Sequence, residues 1–346
     1  MRVLRYLLVF TLPVTVYISF YSTGVLTFLP ILYAFVLIPF LELFVKPDKG
    51  NKASEAIETK ENRLYDWLLY LVVPIQFGFL ALFLTRVTEP GLAMMDLAGR
   101  ISAMGLLCGV LGINVAHELG HRNNRTEQLL AKSLLMTSLY MHFFIEHNRG
   151  HHKHVSTIED PNSARKGEIL YAFWIRSVLF AYLSAWKISF GDMAKQGRSK
   201  FSFHNEMLQY QMIQLLLIAV IFAVFGGLVL GCFICAAIFG FLLLETVNYI
   251  EHYGLSRKKD DRGRYERVRP AHSWNSDHLL GRMLLFELSR HSDHHFLANR
   301  KYQTLRHMDN SPQMPTGYPG MMLLSFLPPV WFFIIHRSMK NQALLQ

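Results

Sequence analysis

Six long apolar stretches decide what this chain can fold into. They cover residues 6–22, 24–45, 67–84, 101–116, 212–230 and 231–247. Each comes close to the roughly 20 residues that a helix needs to cross the apolar core of a bilayer. Short connections join the stretches in pairs, around residues 21–24, 88–97 and 226–231. The sequence therefore predicts an all-α integral membrane protein with six transmembrane helices in three hairpins, and residues 1–346 are expected to form one domain.

Composition and charge agree with a chain that faces lipid. The 346 residues are 51% hydrophobic and only 17% charged, whereas a soluble domain carries about 25% charged residues. The formal net charge of +10 could indicate nucleic-acid binding, or a membrane protein whose basic residues lie on one side. Because the apolar stretches favour the membrane, we predict no nucleic-acid partner.

The polar segments all fall on one side of the predicted hairpins. They are the N-terminus, residues 46–66, residues 117–211 and residues 248–346. Together they contain all 35 lysines and arginines except Arg86 and Arg100. The positive-inside rule makes this side cytoplasmic. Residues 117–211 and 248–318 are therefore expected to form a cytoplasmic helical cap.

Three further apolar stretches are predicted to lie at the membrane surface rather than to cross it. Residues 129–145 and 169–190 carry charges such as Lys132 and Arg176, and a charge in the middle of a bilayer is costly. Basic, aromatic-edged helices suit the interface instead. The run 320–335 is interrupted by two prolines and is expected to be re-entrant or interfacial.

Nine of the 16 histidines fall in four short stretches on the predicted cytoplasmic side. The stretches are His117-Glu-Leu-Gly-His121, Glu146-His-Asn-Arg-Gly-His-His152, Asn248-Tyr-Ile-Glu-His-Tyr-Gly254 and Arg290-His-Ser-Asp-His-His295. Residues at i, i+3 and i+4 share one face of an α-helix. This spacing predicts three shared faces, which are His117 with His121, His147 with His151, and His291 with His294 and His295. His152 follows His151 directly, and His252 is the single histidine of its stretch.

Nine clustered imidazoles predict a site for two metal ions, because one ion takes only about four to six ligands. An all-nitrogen ligand set suits borderline first-row metals such as iron, zinc or copper. A chance surface cluster would not place four stretches on one side of the membrane. If the stretches form one site, an even number of spans must separate each from the next, which supports the interfacial assignment of residues 169–190.

The first stretch, HELGH, also matches the H-E-x-x-H pattern of zinc proteases. In that interpretation Glu118 would be the general base, and only one further ligand would be needed. At least six clustered histidines would then have no role, and the chain lacks the Leu-Asp-Gly motif that supplies the third ligand in intramembrane proteases. An intramembrane metalloprotease is therefore a remote alternative.

The histidine stretches belong to a wider set of motifs. HELGH, EHNRGHH, NYIEHYG and LSRHSDHH are accompanied by EDP at 159–161, HSWNS at 272–276 and PTGYPG at 315–320. Over about residues 25–330 this set resembles the membrane-bound alkane 1-monooxygenase family, a branch of the histidine-rich di-iron membrane hydroxylases and desaturases. Related xylene hydroxylases, fatty-acid hydroxylases and desaturases share the arrangement of histidine motifs, and they are the alternative to an alkane 1-monooxygenase. Ser289 and Phe296 depart from the commonest family pattern without removing a ligand.

The resemblance implies six transmembrane helices, a cytoplasmic cap and a non-haem centre of two iron ions. The implied ligands, whose division between the irons stays open, are His117, His121, His147, His151, His152, His252, His291, His294 and His295. The implied activity is O2-dependent terminal hydroxylation of medium- or long-chain n-alkanes to 1-alkanols, with the alkane taken from the bilayer. Rubredoxin, with its reductase, is the implied electron donor. The implied location is the bacterial inner membrane, with the active site on the cytoplasmic side.

Carboxylates beside the ligands are candidates to orient imidazole N–H groups. They are Glu118, Glu146, Asp160, Glu251 and Asp293. In the second span, the small Ala34 stands where relatives of this family often carry a bulky residue that lines the substrate channel. The resemblance therefore implies a channel beside Ala34 with room for longer chains.

Overall fold

The structure, a computed structural model, describes residues 2–51 and 62–343. Within these ranges the chain is helical, and its β-structure is limited to two isolated bridges, Lys259 with Tyr265 and Asn275 with Gln313. The helices are α1 Val3–Tyr21, α2 Gly24–Glu42, α3 Leu64–Arg86, α4 Met94–Gly120, α5 Arg125–Met136, α6 Phe143–Glu146, α7 Leu170–Lys195, α8 Glu206–His252, α9 Leu279–Leu284, α10 His291–Phe296, α11 Tyr318–Ser325 and α12 Pro328–Ala343. The predicted all-α class is confirmed.

Five helices within the described ranges, α1, α2, α3, α4 and α8, are long and apolar enough to cross a membrane. The first four coincide with the first four apolar stretches of the sequence. Helix α4 continues to Gly120 and thereby carries most of the first histidine stretch. Helix α8 has 47 residues and combines the last two stretches. The chain is thus a multi-pass membrane protein, and the count of six crossings stays a prediction.

Helix α8 is a hairpin rather than a rod. Near its start, Gln214 accepts a hydrogen bond from the backbone amide of Met141 at 3.0 Å. Near its end, Glu245 accepts one from the Tyr140 hydroxyl at 2.9 Å. In a straight helix these two acceptors would lie roughly 46 Å apart, so the chain must turn back between them. It does so at Gly226, whose φ of 82° and ψ of 177° are essentially restricted to glycine.

The turn in α8 lies inside the connection that the sequence predicts between the fifth and sixth apolar stretches. The first arm therefore begins, and the second arm ends, beside the segment that carries Tyr140 and Met141. Because the second arm ends at His252, this geometry brings a ligand candidate to the same side as the histidines that follow Met141.

Polar contacts fix the other apolar helices to the histidine-bearing cap. At the start of α1, the Tyr6 hydroxyl donates a hydrogen bond to Glu287 at 2.8 Å. At the end of α2, the Glu42 carboxylate accepts one from the backbone amide of Gly281 at 2.8 Å. Since both pairs are buried, the cap is held against the helix ends by specific hydrogen bonds as well as by apolar packing.

A second set of polar contacts closes the opposite ends of the helices. Glu89, in the turn between α3 and α4, forms ion pairs with Arg86 and with the buried Arg100. Asp96, at the start of α4, accepts a hydrogen bond from the Gly24 amide at the start of α2 at 2.6 Å. The two arginines outside the basic side of the chain therefore share one carboxylate partner.

The stretches predicted to be interfacial are not among the candidate spans. Helix α7 exposes one apolar face, where Ile175 is 75% accessible, and buries the opposite one with Phe173 and Ala185. Its Arg176 is paired with Glu168 at 2.6 Å. The predicted helix over 129–145 is divided into α5 and α6, and the C-terminal run is divided into α11 and α12 at the two prolines.

Glycines let α4 and the second arm of α8 pack closely. A Cβ on Gly105 would lie 2.7 Å from Cβ of Phe239, and one on Gly109 would lie 2.9 Å from the carbonyl oxygen of Gly240. Small residues at such an interface allow backbones to approach within a membrane. Because α4 and α8 end near His117 and at His252, this contact sets the spacing of two ligand-bearing segments.

Candidate metal centre

All nine histidines singled out from the sequence come together in two adjacent groups. The five-histidine group contains His117, His121, His147, His152 and His294. The four-histidine group contains His151, His252, His291 and His295. Within each group, one nitrogen from every ring lies within 4.8 Å of the others. The sequence left open how the nine histidines divide between two metal ions. The geometry divides them into a group of five and a group of four.

The nitrogen spacing in the five-histidine group suits a metal ion. Nε2 of His147 lies 3.0 Å from Nε2 of His121 and 3.1 Å from Nε2 of His152. The Nε2 atoms of His152 and His294 are also 3.1 Å apart. Two nitrogens bound to one metal at about 2.1 Å and at right angles lie about 3.0 Å apart. The observed spacing is that of neighbouring ligands.

The four-histidine group has the same character. Nε2 of His291 lies 3.2 Å from Nε2 of His252. Ring nitrogens without a hydrogen-bond partner in the described part of the chain include both nitrogens of His295 and Nε2 of His151 and His117. Leaving a buried polar atom unpaired is costly, and coordination of a metal would satisfy one nitrogen of each ring.

The cap holds the imidazoles in their neutral, ligating form. Burial, together with the nearby His151 and Arg122, lowers the pKa of His121 to about 3. Burial likewise holds the pKa well below its ordinary value at His147, His152, His291, His294 and His295. Since neutral imidazole has a free lone pair, the group is prepared for metal binding rather than for acid–base work.

Two of the predicted shared faces are each divided between the two groups. Residues His147–His151 form a π-helical segment, whose i→i+5 hydrogen bonds add about one residue to the turn and shift the side chains that follow. His147 therefore joins His152 in the five-histidine group, and His151 faces the other group. The short helix α10 lies between the two groups and supplies histidines to both. His294 belongs to the five-histidine group, and His291 and His295 belong to the four-histidine group.

Among the predicted orienting carboxylates, Asp160 contacts a ligand ring. Its Oδ2 lies 2.9 Å from Nδ1 of His151 and accepts a hydrogen bond from Ser163 at 2.5 Å. Burial opposes ionisation of this carboxyl, but His151 and Ser163 together hold its pKa below the usual value. An ionised Asp160 fixes the tautomer of His151 with Nε2 directed to the four-histidine group.

Glu118 and Asp293 are engaged elsewhere. Glu118 forms an ion pair with Arg122 at 2.6 Å and accepts the amide hydrogen of Tyr302 at 3.1 Å. Asp293 is paired with Arg300 at 2.9 Å and accepts the amide hydrogen of Arg306 at the same distance. These carboxylates tie the ligand helices to the loop after α10. A Glu118 bound in this way is not free to act as the general base of a zinc protease.

Glu146 and Glu251 are both deeply buried. Glu146 accepts a hydrogen bond from the Asn162 amide at 2.8 Å, and burial, with Asp160 and Glu245 nearby, raises its pKa well above the ordinary value. Glu251 accepts a hydrogen bond from the Tyr318 hydroxyl at 2.7 Å, and its second oxygen lies 3.1 Å from Nε2 of His291.

An apolar cavity, partly open to the outside, leads to both groups. Its wall includes Ala34 and Phe35 from α2, together with side chains from α4, α8, α9 and α11. His117, His147 and His291 lie on its surface. The cavity could therefore bring an apolar molecule directly to the metal positions.

Three polar side chains of this cavity were not singled out in the sequence. They are Asn114, Asn248 and Tyr318. Asn248 and Tyr318 lie within the NYIEHYG and PTGYPG motifs, so the motif positions themselves were a usable signal. Asn114 precedes the first histidine by three residues, which places it on the same side of α4, one turn away.

Comparisons with known proteins agree with the geometry. A family model described as "Fatty acid desaturase" matches residues 92–325. "Alkane 1-monooxygenase 2" of Pseudomonas aeruginosa is 41% identical over 86% of this chain and 80% of its own length. "Alkane 1-monooxygenase" of Ectopseudomonas oleovorans is 38% identical over 89% of this chain and 77% of its own length.

A more distant relative is the "Xylene/toluene monooxygenase hydroxylase component XylM" of Pseudomonas putida. It is 29% identical over 78% of this chain and 72% of its own length. The alkane 1-monooxygenases exceed it in both identity and coverage of this chain, and the resemblance based on the histidine motifs is confirmed. This chain therefore belongs to the alkane 1-monooxygenase family, within the fatty acid desaturase group, and is a membrane-bound monooxygenase.

Proposed function

We propose that the protein hydroxylates the terminal methyl group of medium- or long-chain n-alkanes at a non-haem di-iron centre. The observation that carries this proposal is the apolar cavity that ends at the two histidine groups. Two groups of four or five ligands suit two metal ions, and nitrogen donors are compatible with iron. The reaction consumes alkane, O2, two electrons and two protons, and it yields a 1-alkanol and water.

The division of labour between metal and protein follows from the chemistry of the substrate. When bound, iron would supply O2 reduction and cleavage of an unactivated C–H bond, for which side chains alone have no equivalent. His117, His121, His147, His152 and His294 would hold one ion, and His151, His252, His291 and His295 the other. Asp160 orients His151 through its Nδ1.

The protein contributes substrate orientation and exclusion of water. An n-alkane has no polar group to recognise, so a narrow apolar cavity must select the reacting carbon by admitting the chain end first. Ala34, beside Phe35 in the wall, is the channel residue we assign to chain length. Because alkanes partition into lipid, the bilayer would supply the substrate to this cavity.

The electrons are proposed to come from rubredoxin with its reductase, as the family resemblance implies. The net charge of +10 favours docking of an acidic carrier, and exposed arginines such as Arg264 and Arg269 lie on the cap. By the positive-inside rule this basic side is cytoplasmic. We therefore propose a bacterial inner-membrane enzyme whose active site opens on the cytoplasmic side.

The test is turnover by purified protein with rubredoxin, rubredoxin reductase, labelled 18O2 and a series of n-alkanes. We expect 1-alkanols that carry one labelled oxygen, and no product from a His252→Ala variant. Failure to form 1-alkanol from any chain length would refute the proposal.

Product analysis also separates the alternative function. A related fatty-acid hydroxylase or desaturase, favoured by the family model matched over residues 92–325, would convert an acyl chain to a hydroxy acid or an olefin. A xylene hydroxylase, favoured by the XylM relative, would oxidise an aromatic methyl group. Acyl chains and xylenes are therefore included as competing substrates in the same assay.

A further inference from the structure

The two histidine groups are unequal, and the smaller one has a carboxylate beside it. The five-histidine group offers five nitrogen donors and the other offers four. Glu251 precedes His252 at the end of α8, lines the cavity and is only 1% accessible. From the sequence we expected this residue to orient an imidazole N–H group. Its position in the structure suggests a different role.

The distances place one Glu251 oxygen beside one nitrogen of the four-histidine group. Oε2 lies 3.1 Å from Nε2 of His291, and this same nitrogen lies 3.2 Å from Nε2 of His252. The carboxylate is therefore as close to His291 as neighbouring ligand rings are to each other. When Nε2 of His291 binds a metal it carries no proton, so it cannot donate a hydrogen bond to Glu251.

The second oxygen of Glu251 is held away from the metal position. Oε1 accepts a hydrogen bond from the buried Tyr318 hydroxyl at 2.7 Å. This contact fixes the rotation of the carboxylate and leaves Oε2 to face His291. A carboxylate oriented in this way is suited to bind a metal through one oxygen.

Charge balance favours the same role. Nine neutral imidazoles bring no negative charge to two divalent ions, and buried uncompensated charge is costly. Among the described residues, Asp160 and Glu251 are the carboxylates within hydrogen-bond distance of one of the nine rings. Asp160 acts through Nδ1 of His151, whereas Glu251 faces the nitrogen that points into the group.

We propose that Oε2 of Glu251 is the fifth ligand of the metal held by His151, His252, His291 and His295. Each metal would then have five protein donors and one open position, and Tyr318 would act as the positioning residue. This inference rests on the proposed di-iron centre, because it assigns a ligand to one of its ions.

The experiment compares iron-loaded wild-type protein with Glu251→Gln and with the control Glu245→Gln, which changes a buried carboxylate of the same helix that pairs with the Tyr140 hydroxyl and contacts no ligand ring in the structure. Iron per chain, the rate of iron release to a chelator and the Mössbauer spectrum are measured. We expect Glu251→Gln to release one of its two irons faster by more than the roughly 10- to 100-fold that the loss of a partner outside the ligand set costs in metal affinity. The other iron and the control should behave as in wild type.

A second variant keeps the test valid if Glu251→Gln does not fold. Tyr318→Phe retains the carboxylate but frees Oε1, so both irons should remain while the Mössbauer doublet of only one changes. Two unchanged doublets in Tyr318→Phe, or wild-type iron release in Glu251→Gln, would overturn the fifth ligand alone. Fewer than two irons in the wild type would instead overturn the di-iron proposal and this inference with it.

Discussion

At the scale of single residues, the candidate site depends on what each imidazole does with its second nitrogen. His151 shows this most directly, because Asp160 engages Nδ1 and leaves Nε2 without a partner. A carboxylate in this position fixes ring orientation and raises the basicity of the ligating nitrogen. The contact is fully buried, so solvent does not weaken it.

Asp160→Asn is expected to weaken metal binding. An amide can still accept a hydrogen bond from His151, but it loses the negative charge, so affinity should fall roughly 10- to 100-fold. The measurement is iron content after dialysis against graded chelator. Glu159→Gln is the matched control, because that neighbouring carboxylate is exposed and pairs with His154, which belongs to neither group. Equal iron retention in both variants would contradict the assignment.

Ala34→Trp is expected to shift the product profile toward shorter alkanols, because an indole at this position would fill part of the cavity that Ala34 lines. Product chain lengths from a mixture of n-alkanes provide the measurement. Val36→Trp is the control, since Val36 does not line the cavity and is largely exposed. If wild type and Ala34→Trp give identical profiles, Ala34 does not limit chain length.

The sequence predicts which histidines come together better than it predicts the contacts around them. All nine histidines meet because short motifs preserve their local spacing. The partners of the five carboxylates come from distant segments, as when Asp293 pairs with Arg306 and Glu251 with Tyr318. Such contacts depend on side-chain direction across packed elements, which local spacing does not contain.

At the scale of elements, π-helical segments recur around the cavity and the metal positions. They are Tyr33–Leu37, Cys108–Ile113 and His147–His151. One extra residue per turn rotates everything that follows by about one position. Apolar periodicity is too coarse to reveal this local change, so the sequence does not indicate that His147 groups with His152 rather than with His151.

Gly150→Ala is expected to disturb the third of these segments. A Cβ at Gly150 would lie 2.5 Å from Oε1 of Glu146, which is buried and tied to Asn162. We expect loss of iron from both groups, because the segment supplies ligands to each. Gly120→Ala is the control, since its Cβ would meet its nearest neighbour at an ordinary 3.5 Å. Iron analysis and thermal unfolding of both variants test this, and wild-type iron content in Gly150→Ala would contradict it.

At the scale of the whole molecule, hydropathy predicts the helices of the membrane part, but it does not predict the structure of the cap. Length and apolarity suffice to predict helices such as Leu64–Arg86, and the break at Gly226 agrees with the predicted connection. The cap contains many loops whose positions depend on long-range polar contacts, such as that of Tyr6 with Glu287. These contacts become visible only when the helices are assembled.

Metal removal is expected to destabilise the whole protein rather than the site alone. The ligands come from four separate segments, so bound metal links α4 and α8 to the cap. A ligand at 100 times its Kd stabilises by about 2.7 kcal/mol per site. Chelation should therefore lower Tm, as measured by thermal unfolding in detergent, while chelator saturated with iron serves as the control. An unchanged Tm after complete metal removal would show that the cap is rigid without it.

The short helix α10 has a consequence for how the protein is made. His294 belongs to one histidine group while His291 and His295 belong to the other, so both groups are completed by the same six residues. During translation the upstream histidines emerge first. Both groups stay incomplete until α10 leaves the ribosome and folds against the inserted helices. Metal binding is therefore a late step of biosynthesis. A chain that stalls before α10 lacks one histidine of the first group and two of the second, so neither group is complete.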